Sequence, residues 1–409
     1  MAELPGALRL QPRAMTPVLL WLLPFFLPTF LVRFHIWVIP TTLLELYVMV
    51  LLVDFSAQFG FLGWKQGWQR LGSWRWPILA WLVASLIGVI AAPDKVAGLG
   101  LWRAHVLEPL LVLVTLARML ETSQDVKRLY RSLILVTGVI AAWAVVQFCT
   151  GFGIPSPWNV AISAGRRATS FLWYPNAVSL FVAPVGAFAF VRWLRERREH
   201  WSLIGWISAL AGICVAKSNG GLLAIGAVIS IALLLYRKTR AIAFGLATLG
   251  ALVLALIPSL RMLVWKTATL QEWSGQVRLF QWRETWQMLK DHWFFGAGFG
   301  AYPAVFAAYH RAKAIEIFQY PHNILLNVWS ETGLLGVFSF FWILGKWIVD
   351  AYRNEKGDHL LFFASIAPVI AIVLQGLFDV PYFKNDLAMA FWLLLFICLF
   401  WKRKEAAIV

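Results

Sequence analysis

The chain has 409 residues, of which 60% are apolar and 14% charged, and its mean hydropathy is +0.71. That composition excludes a soluble enzyme: at roughly 20 residues per bilayer crossing, the apolar content supplies about twelve spans and leaves little for an extramembrane domain. The formal net charge of +16 fits either a nucleic-acid partner or the cytoplasmic cation bias of a polytopic membrane protein, and the placement of the cations decides between them.

Apolar runs between polar breaks predict spans at 17–32, 36–53, 76–92, 104–120, 132–152, 171–191, 201–216, 220–236, 241–260, 324–345, 360–379 and 387–401. Arg9 and Arg13 precede the first run as in a signal peptide, but Pro24, Pro28 and Arg33 stand where a small-residue cleavage site would be. The run is therefore read as a retained first helix. Cys149, Cys214 and Cys398 all lie in apolar runs, which suggests packing rather than a disulfide framework or a metal cluster.

Twelve spans put both termini on one side. The segments on that side, among them Arg70 and Arg75, Arg118 to Arg131, Arg192 to Arg198, Arg237 to Arg240, Lys346 to Lys356 and Lys402 to Lys404, hold about 22 of the 36 cations. Of the rest, about half fall in the long segment 261–323, whose length exempts it from the charge rule. The bias fixes the termini as cytoplasmic, accounts for most of the net charge and removes the support for nucleic acid. No internal repeat is evident, which counts against a transporter built on inverted halves.

The segment 261–323 is too polar to span and carries Trp265, Trp273, Trp282, Trp286 and Trp293. Trp282, Trp286, Leu289 and Trp293 recur at helical spacing with Arg278, Arg283, Glu284 and Lys290 between them, an amphipathic helix lying at the interface. Gly296-Ala297-Gly298-Phe299-Gly300 follows. Without a preceding strand or a Lys-Ser/Thr ending, this alternation reads as a tight turn re-entering the membrane rather than a nucleotide loop, with Gly298 in a supporting role.

Tyr320-Pro321-His322-Asn323 closes the segment before a helix that Asn323 can cap. His322 at that helix N-terminus, where the dipole favours a neutral ring, is the candidate catalytic residue. Glu331 lies nine residues on, on the opposite helical face and about 13 Å deeper, so it forms no dyad with His322 and takes a structural role with Asn327. Glu45, Asp54, Glu108 and Asp379 show no spacing that suggests an ion relay.

Arg166 and Arg167, in Gly165-Arg166-Arg167-Ala168-Thr169-Ser170, run against the charge bias, and paired guanidinium forks match phosphate oxygens. Lys217, in the loop Lys217-Ser218-Asn219-Gly220-Gly221, adds a cation on the same side. The outer acids Glu272, Glu284, Asp291 and Glu316 are scattered, so no metal and no other cofactor is expected.

Three stretches carry a resemblance: Arg167-Ala168-Thr169 followed by Pro175-Asn176; Arg278 and Trp282 leading to the glycine turn; and His322-Asn323 followed by Glu331-Thr332-Gly333-Leu334-Leu335-Gly336. Over roughly 165–336 the chain resembles the O-antigen ligase and polymerase superfamily of bacterial envelope glycosyltransferases. The resemblance implies an all-α, GT-C-like inner-membrane protein with about twelve spans and a single long periplasmic segment. It implies transfer of a glycan from an undecaprenyl diphosphate donor, in a periplasmic site, to an acceptor such as lipid A-core. Arg167 and Arg278 take the diphosphate role by that resemblance and His322 acts on the acceptor, with Arg166 beside them. Lys217, Arg283, Asn323 and Trp282 are secondary candidates. Two departures stand out: Ser170 where the family often has Gly, and Ser218-Asn219 where it often has Ser-Arg.

An O-antigen ligase is the leading reading, metal-independent and inverting. A polymerase of the same superfamily is the close alternative, and protein O-glycosylation follows. An anionic-solute transporter and an envelope-assembly scaffold are the readings from other classes.

Overall fold

The computed structural model describes residues 15–37 and 39–401. Arg9, Arg13 and Lys402 to Lys404, counted toward the charge bias, lie outside the described residues. The α-helices among them are α1 (Met15–Phe26), α2 (Leu43–Arg70), α3 (Arg75–Ala91), α4 (Lys95–Trp102), α5 (Glu108–Met119), α6 (Ser123–Thr150), α7 (Pro175–Arg195), α8 (His200–Ala216), α9 (Asn219–Leu235), α10 (Arg240–Leu256), α11 (Pro258–Ala268), α12 (Trp273–Asp291), α13 (Tyr302–Phe306), α14 (Ile324–Asn354), α15 (His359–Gly376) and α16 (Asn385–Phe400). The protein is an all-α membrane protein. Among the described residues, eight helices are long and apolar enough to cross a bilayer, and the shorter apolar helices Met15–Leu31, His200–Ala216, Asn219–Leu235 and Asn385–Phe400 coincide with the remaining predicted spans.

The expected second span, 36–53, is displaced. An antiparallel hairpin, β1 (Arg33–Ile36) and β2 (Ile39–Thr42), occupies its start, with Arg33 opposite Thr42. The helix begins only at Leu43, where the Thr42 hydroxyl accepts from the Glu45 amide and the Glu45 carboxylate accepts from the Thr42 amide. It then runs well past Asp54, the charge that ends the predicted span. That carboxylate is satisfied in place by hydrogen bonds from the Thr16 hydroxyl (2.6 Å) and the Gln58 amide (2.8 Å). The fourth predicted span instead starts early, with Asp94 capping α4 and a π-helical turn over Arg103–Leu107 joining α4 to α5.

α7 sits at the centre, buried along nearly its whole length between α8, α9 and α15. α10 is its opposite and buries none of its residues, so its apolar surface is left for lipid.

The loops form two rims. At the cation-rich rim, Arg70 reaches the Arg118 carbonyl (2.7 Å) and Glu121 (2.6 Å), Lys346 donates to Ser73 (2.8 Å), and Arg195 to Asp358 (2.9 Å). These bonds join segments that the charge bias places on one side. α14 runs from this rim to the opposite one, where His322 lies.

α14 is broken at Gly333, whose φ of 66° and ψ of −170° interrupt the ladder. The glycine turn fills the break by an exchange of partners. The Leu334 amide donates to the Phe294 carbonyl (3.0 Å), and the Ser330 carbonyl accepts instead from the Ala297 (2.7 Å) and Gly298 (3.2 Å) amides. Phe299 donates to the Gly88 carbonyl of α3 (2.9 Å), and the Gly300 amide donates to the Glu331 carboxylate. Gly298, at φ 100°, lies so close to α3 that a Cβ would meet the Ala92 Cα at 2.5 Å.

Candidate functional site

The opposite rim gathers polar side chains from segments far apart in the chain. The Arg167 guanidinium donates through Nε to the Ala216 carbonyl (3.0 Å) and through Nη2 to the Asn176 Oδ1 (2.8 Å). Asn176 sits in the first turn of α7, just behind Pro175, and its amide donates to Asp379 Oδ2 (3.1 Å). The other Asp379 oxygen accepts from the Val380 amide (2.9 Å) and lies 3.4 Å from His322 Nδ1. The last contact is an ion-pair approach without hydrogen-bond alignment, and Nδ1 is otherwise unpartnered.

The segment 377–384 between α15 and α16 is the hub. Arg278 on α12 donates through Nε to the Phe378 carbonyl (2.9 Å), Asn323 donates to the Leu377 carbonyl (3.2 Å), and Lys384 projects over the rings of Tyr174 (5.8 Å) and Tyr320 (5.9 Å). Burial would raise the Asp379 pKa, but the His322 imidazole, Lys384 and the Val380 amide outweigh it and hold the carboxyl down at about 2. Burial, and then the neighbouring Arg278 cation, lower the Arg167 pKa, with Asp379 and Glu272 opposing. A guanidinium keeps its charge under such a shift, so Arg167 and Arg278 repel each other across the rim, and a bound anion would relieve that repulsion.

His322 has a left-handed backbone, φ 48°. A non-glycine residue held there needs support from its surroundings, and α12 supplies it on the N-terminal side. Gln281 donates to the Tyr320 carbonyl (2.9 Å), and the Trp282 indole donates to the Pro321 carbonyl (2.9 Å). On the other side Asn323 caps α14 by accepting from the Leu326 amide (3.1 Å). The imidazole packs edge-on to Phe318 and Tyr320, and its side chain keeps 19% exposure, so one ring edge reaches the open face of the rim.

The remaining sequence candidates lie elsewhere. Arg166 turns away from Arg167: its Nε donates to the Val160 carbonyl (2.7 Å), and Nη1 to the carbonyls of Phe148 (3.0 Å) and Cys149 (3.3 Å) at the end of α6. Lys217 is exposed, with its ammonium 5.5 Å from the centre of the Phe148 ring. Arg283 is exposed on α12. Glu331 and Gly298 belong to the seam between α14 and the glycine turn.

The tryptophan stripe is not the face of α12 that packs on the protein. The buried face of α12 is Gln281, Thr285, Met288 and Leu289, set against Tyr302 and Phe306. The two polar members are satisfied by the Tyr302 hydroxyl, at 2.8 Å from Thr285 and 3.4 Å from Gln281. Trp286 and Trp293 stay largely exposed. Polar residues made up half of the packing face, so an apolar pattern could not find it.

Asp379, Lys384, Asn176 as a bridge, and Gln281 escaped the sequence reading as site residues. One signal was present: an acid and a lysine bracket a short Pro-containing loop that the span order places on the same side as His322. Among the described residues, no group of three or more His, Cys, Asp or Glu side chains is arranged to hold a metal ion.

Comparison with curated proteins gives no match. A family model described as O-antigen ligase matches residues 203–341, about a third of the chain. The match takes in Arg278, Trp282, the glycine turn, His322, Asn323 and Glu331, while Arg167, Asn176 and Asp379 lie outside it. Residues 203–341 thus match the O-antigen ligase family model, a likeness that supports a place in the O-antigen ligase and polymerase superfamily.

Proposed function

We propose that the protein is an O-antigen ligase with twelve crossings, cytoplasmic termini and a periplasmic active site in the bacterial inner membrane. It transfers a glycan from undecaprenyl diphosphate to lipid A-core. The observation that carries this reading is the continuous rim network of Arg167, Asn176, Asp379 and His322, with Arg278 fastened to the same 377–384 segment.

In the proposed reaction, the acceptor hydroxyl attacks the anomeric carbon of the donor sugar. The new C–O bond forms as the bond from that carbon to the diphosphate breaks, and the electron pair leaves on the phosphate oxygen. His322 takes the hydroxyl proton at Nε2, while Asp379 beside Nδ1 stabilises the imidazolium that forms. Arg167 and Arg278 stabilise the charge growing on the diphosphate, which needs no further activation because it is already a good leaving group. Direct displacement inverts the anomeric configuration. The arginines fill the role a divalent cation often takes, so the transfer is proposed to be metal-independent.

The test combines purified protein, the undecaprenyl diphosphate glycan and core-only lipopolysaccharide, with EDTA present. Glycan-extended lipid A-core is the expected product. Growth of carrier-bound chains alone would assign the polymerase reaction instead, since two lipid diphosphates suit the same arginine pair.

A further inference from the structure

A cavity of about 230 Å³ opens on the same rim, beside Arg167 but separate from the network around His322. Gly153, Ile154 and Pro155 form one wall, Thr169 and Ser170 the other, and Trp173 stands with them at the lining. The volume is below the roughly 300 Å³ at which drug-sized sites begin, and is on the scale of one sugar ring.

The cavity is built, and three observations point to a ligand. The first is a clasp: buried Gln147 donates through Nε2 to the carbonyls of Gly153 (3.0 Å) and Ser170 (3.3 Å), and its Oε1 accepts from the amides of Thr169 (3.1 Å) and Ser170 (2.7 Å). One side chain thus fixes both walls. Arg166, which the diphosphate role leaves unexplained, braces the first wall by tying Val160 to the end of α6 and lying against Gly151.

The second is backbone strain. Ser170 and Trp173 both hold left-handed conformations, at φ 50° and 67°, and for a residue as bulky as tryptophan this is an outlier that clusters at binding sites. The strained turn leaves the Trp173 ring 60% exposed. The third is the lining. Ile154, Pro155 and Trp173 make it apolar, while Thr169 and Ser170 are buried and keep their hydroxyls on protein oxygens. A pyranose presents an apolar C–H face that matches such a surface.

Continuity with the reaction site comes through the next residue. Tyr174 lies under Lys384, which adjoins Asp379. A ring seated against Trp173 is therefore one residue along the chain from a side chain that touches Lys384.

We propose that this cavity binds one pyranose ring of a substrate glycan, with Trp173 as the stacking face. The proposal rests on the transferase reading and extends it to a specificity subsite. The same chemistry is offered by a sugar of the donor glycan and by a sugar of the acceptor core, and kinetics separates them. Initial rates are measured for wild type, Trp173→Ala, Trp173→Phe and Ile154→Trp, varying donor and acceptor in turn. In parallel, saturation-transfer NMR follows the oligosaccharide released from the carrier by mild acid.

Trp173→Ala, which removes an exposed ring, and Ile154→Trp, which fills the space, are each expected to raise the KM of one substrate about tenfold, with Trp173→Phe restoring most of it. A rise for the donor assigns the ring to the donor glycan, and a rise for the acceptor assigns it to the core. Unchanged KM values for both substrates in both variants, with sugar contacts equal in wild type and Ile154→Trp, would overturn the proposal. Sugar contacts that vanish in Ile154→Trp in a protein without transfer activity would keep the cavity and remove the transferase reading.

Discussion

The glycine turn at 296–300 and the rim around His322 lie at the two ends of one half-helix, and they use polar groups in opposite ways. In the turn every amide from Ala297 to Gly300 is consumed within the protein, by Ser330, Gly88 and Glu331. At the rim the groups are held from behind and left open in front: Asp379 approaches one edge of the imidazole, and Arg167 and Arg278 are anchored by carbonyls, with Asp379 and Glu272 acting against the repulsion that Arg278 exerts on Arg167. The more conspicuous motif is thus a packing device, and the scattered residues make the site. A glycine alternation invites a phosphate only where its amides are free.

The largest effect expected from this contrast is at His322. His322→Ala removes a proton acceptor worth about a hundredfold to ten-thousandfold in such reactions, and kcat should fall by roughly a thousandfold with unchanged thermal unfolding. Asp379→Asn should lower kcat across the whole pH range. Its carboxyl, depressed to about 2, is ionised at every working pH, and the stability it contributes is present above the ordinary aspartate value and lost only as pH falls through about 2. A profile for Asp379→Asn that is merely shifted along the pH axis would show that Asp379 does more than hold the imidazolium.

Arg278→Ala comes next, with a loss of roughly a hundredfold to a thousandfold in kcat, the scale of a removed oxyanion donor. Arg278→Lys restores charge without the fork, so partial recovery is expected. Gly298→Ala tests the other side of the comparison. Its Cβ would strike Ala92 at a backbone angle that alanine avoids, costing about 3 kcal/mol. A lowered melting temperature should accompany near-normal turnover per folded molecule. A large turnover defect in correctly folded Gly298→Ala would contradict a packing role for the turn.

The contrast also explains what was legible in the sequence. Span positions follow from long apolar runs, which survive any detail of packing. Where an acid inside a helix is hydrogen-bonded by a partner far along the chain, as Asp54 is by Thr16, the apolar run ends before the helix does. His322 and Arg278 stood out because each is a charge-bearing residue in a segment with few alternatives. Asp379 did not, since its meaning depends on Asn176, which is 203 positions away and becomes its neighbour only when α7 packs beside α15. Arg166 and Arg167 look equivalent as a pair, yet the turn sends them to opposite sides, a distinction that no spacing rule contains.

The smallest effect concerns how His322 is held. Its left-handed backbone costs on the order of 1 kcal/mol or more, and the bonds from Gln281 and Trp282 to the two preceding carbonyls offset that strain. Trp282→Phe keeps the ring against Phe378 and removes only the indole donor, one hydrogen bond worth about 1 kcal/mol. If that bond supports the catalytic geometry, kcat should drop roughly fivefold with KM for the donor unchanged, and the same substitution should add almost nothing in a His322→Ala background. If Trp282 instead touches the donor, KM rises and the loss persists in either background. The double variant therefore separates a residue that positions the histidine from one that binds substrate beside Arg278.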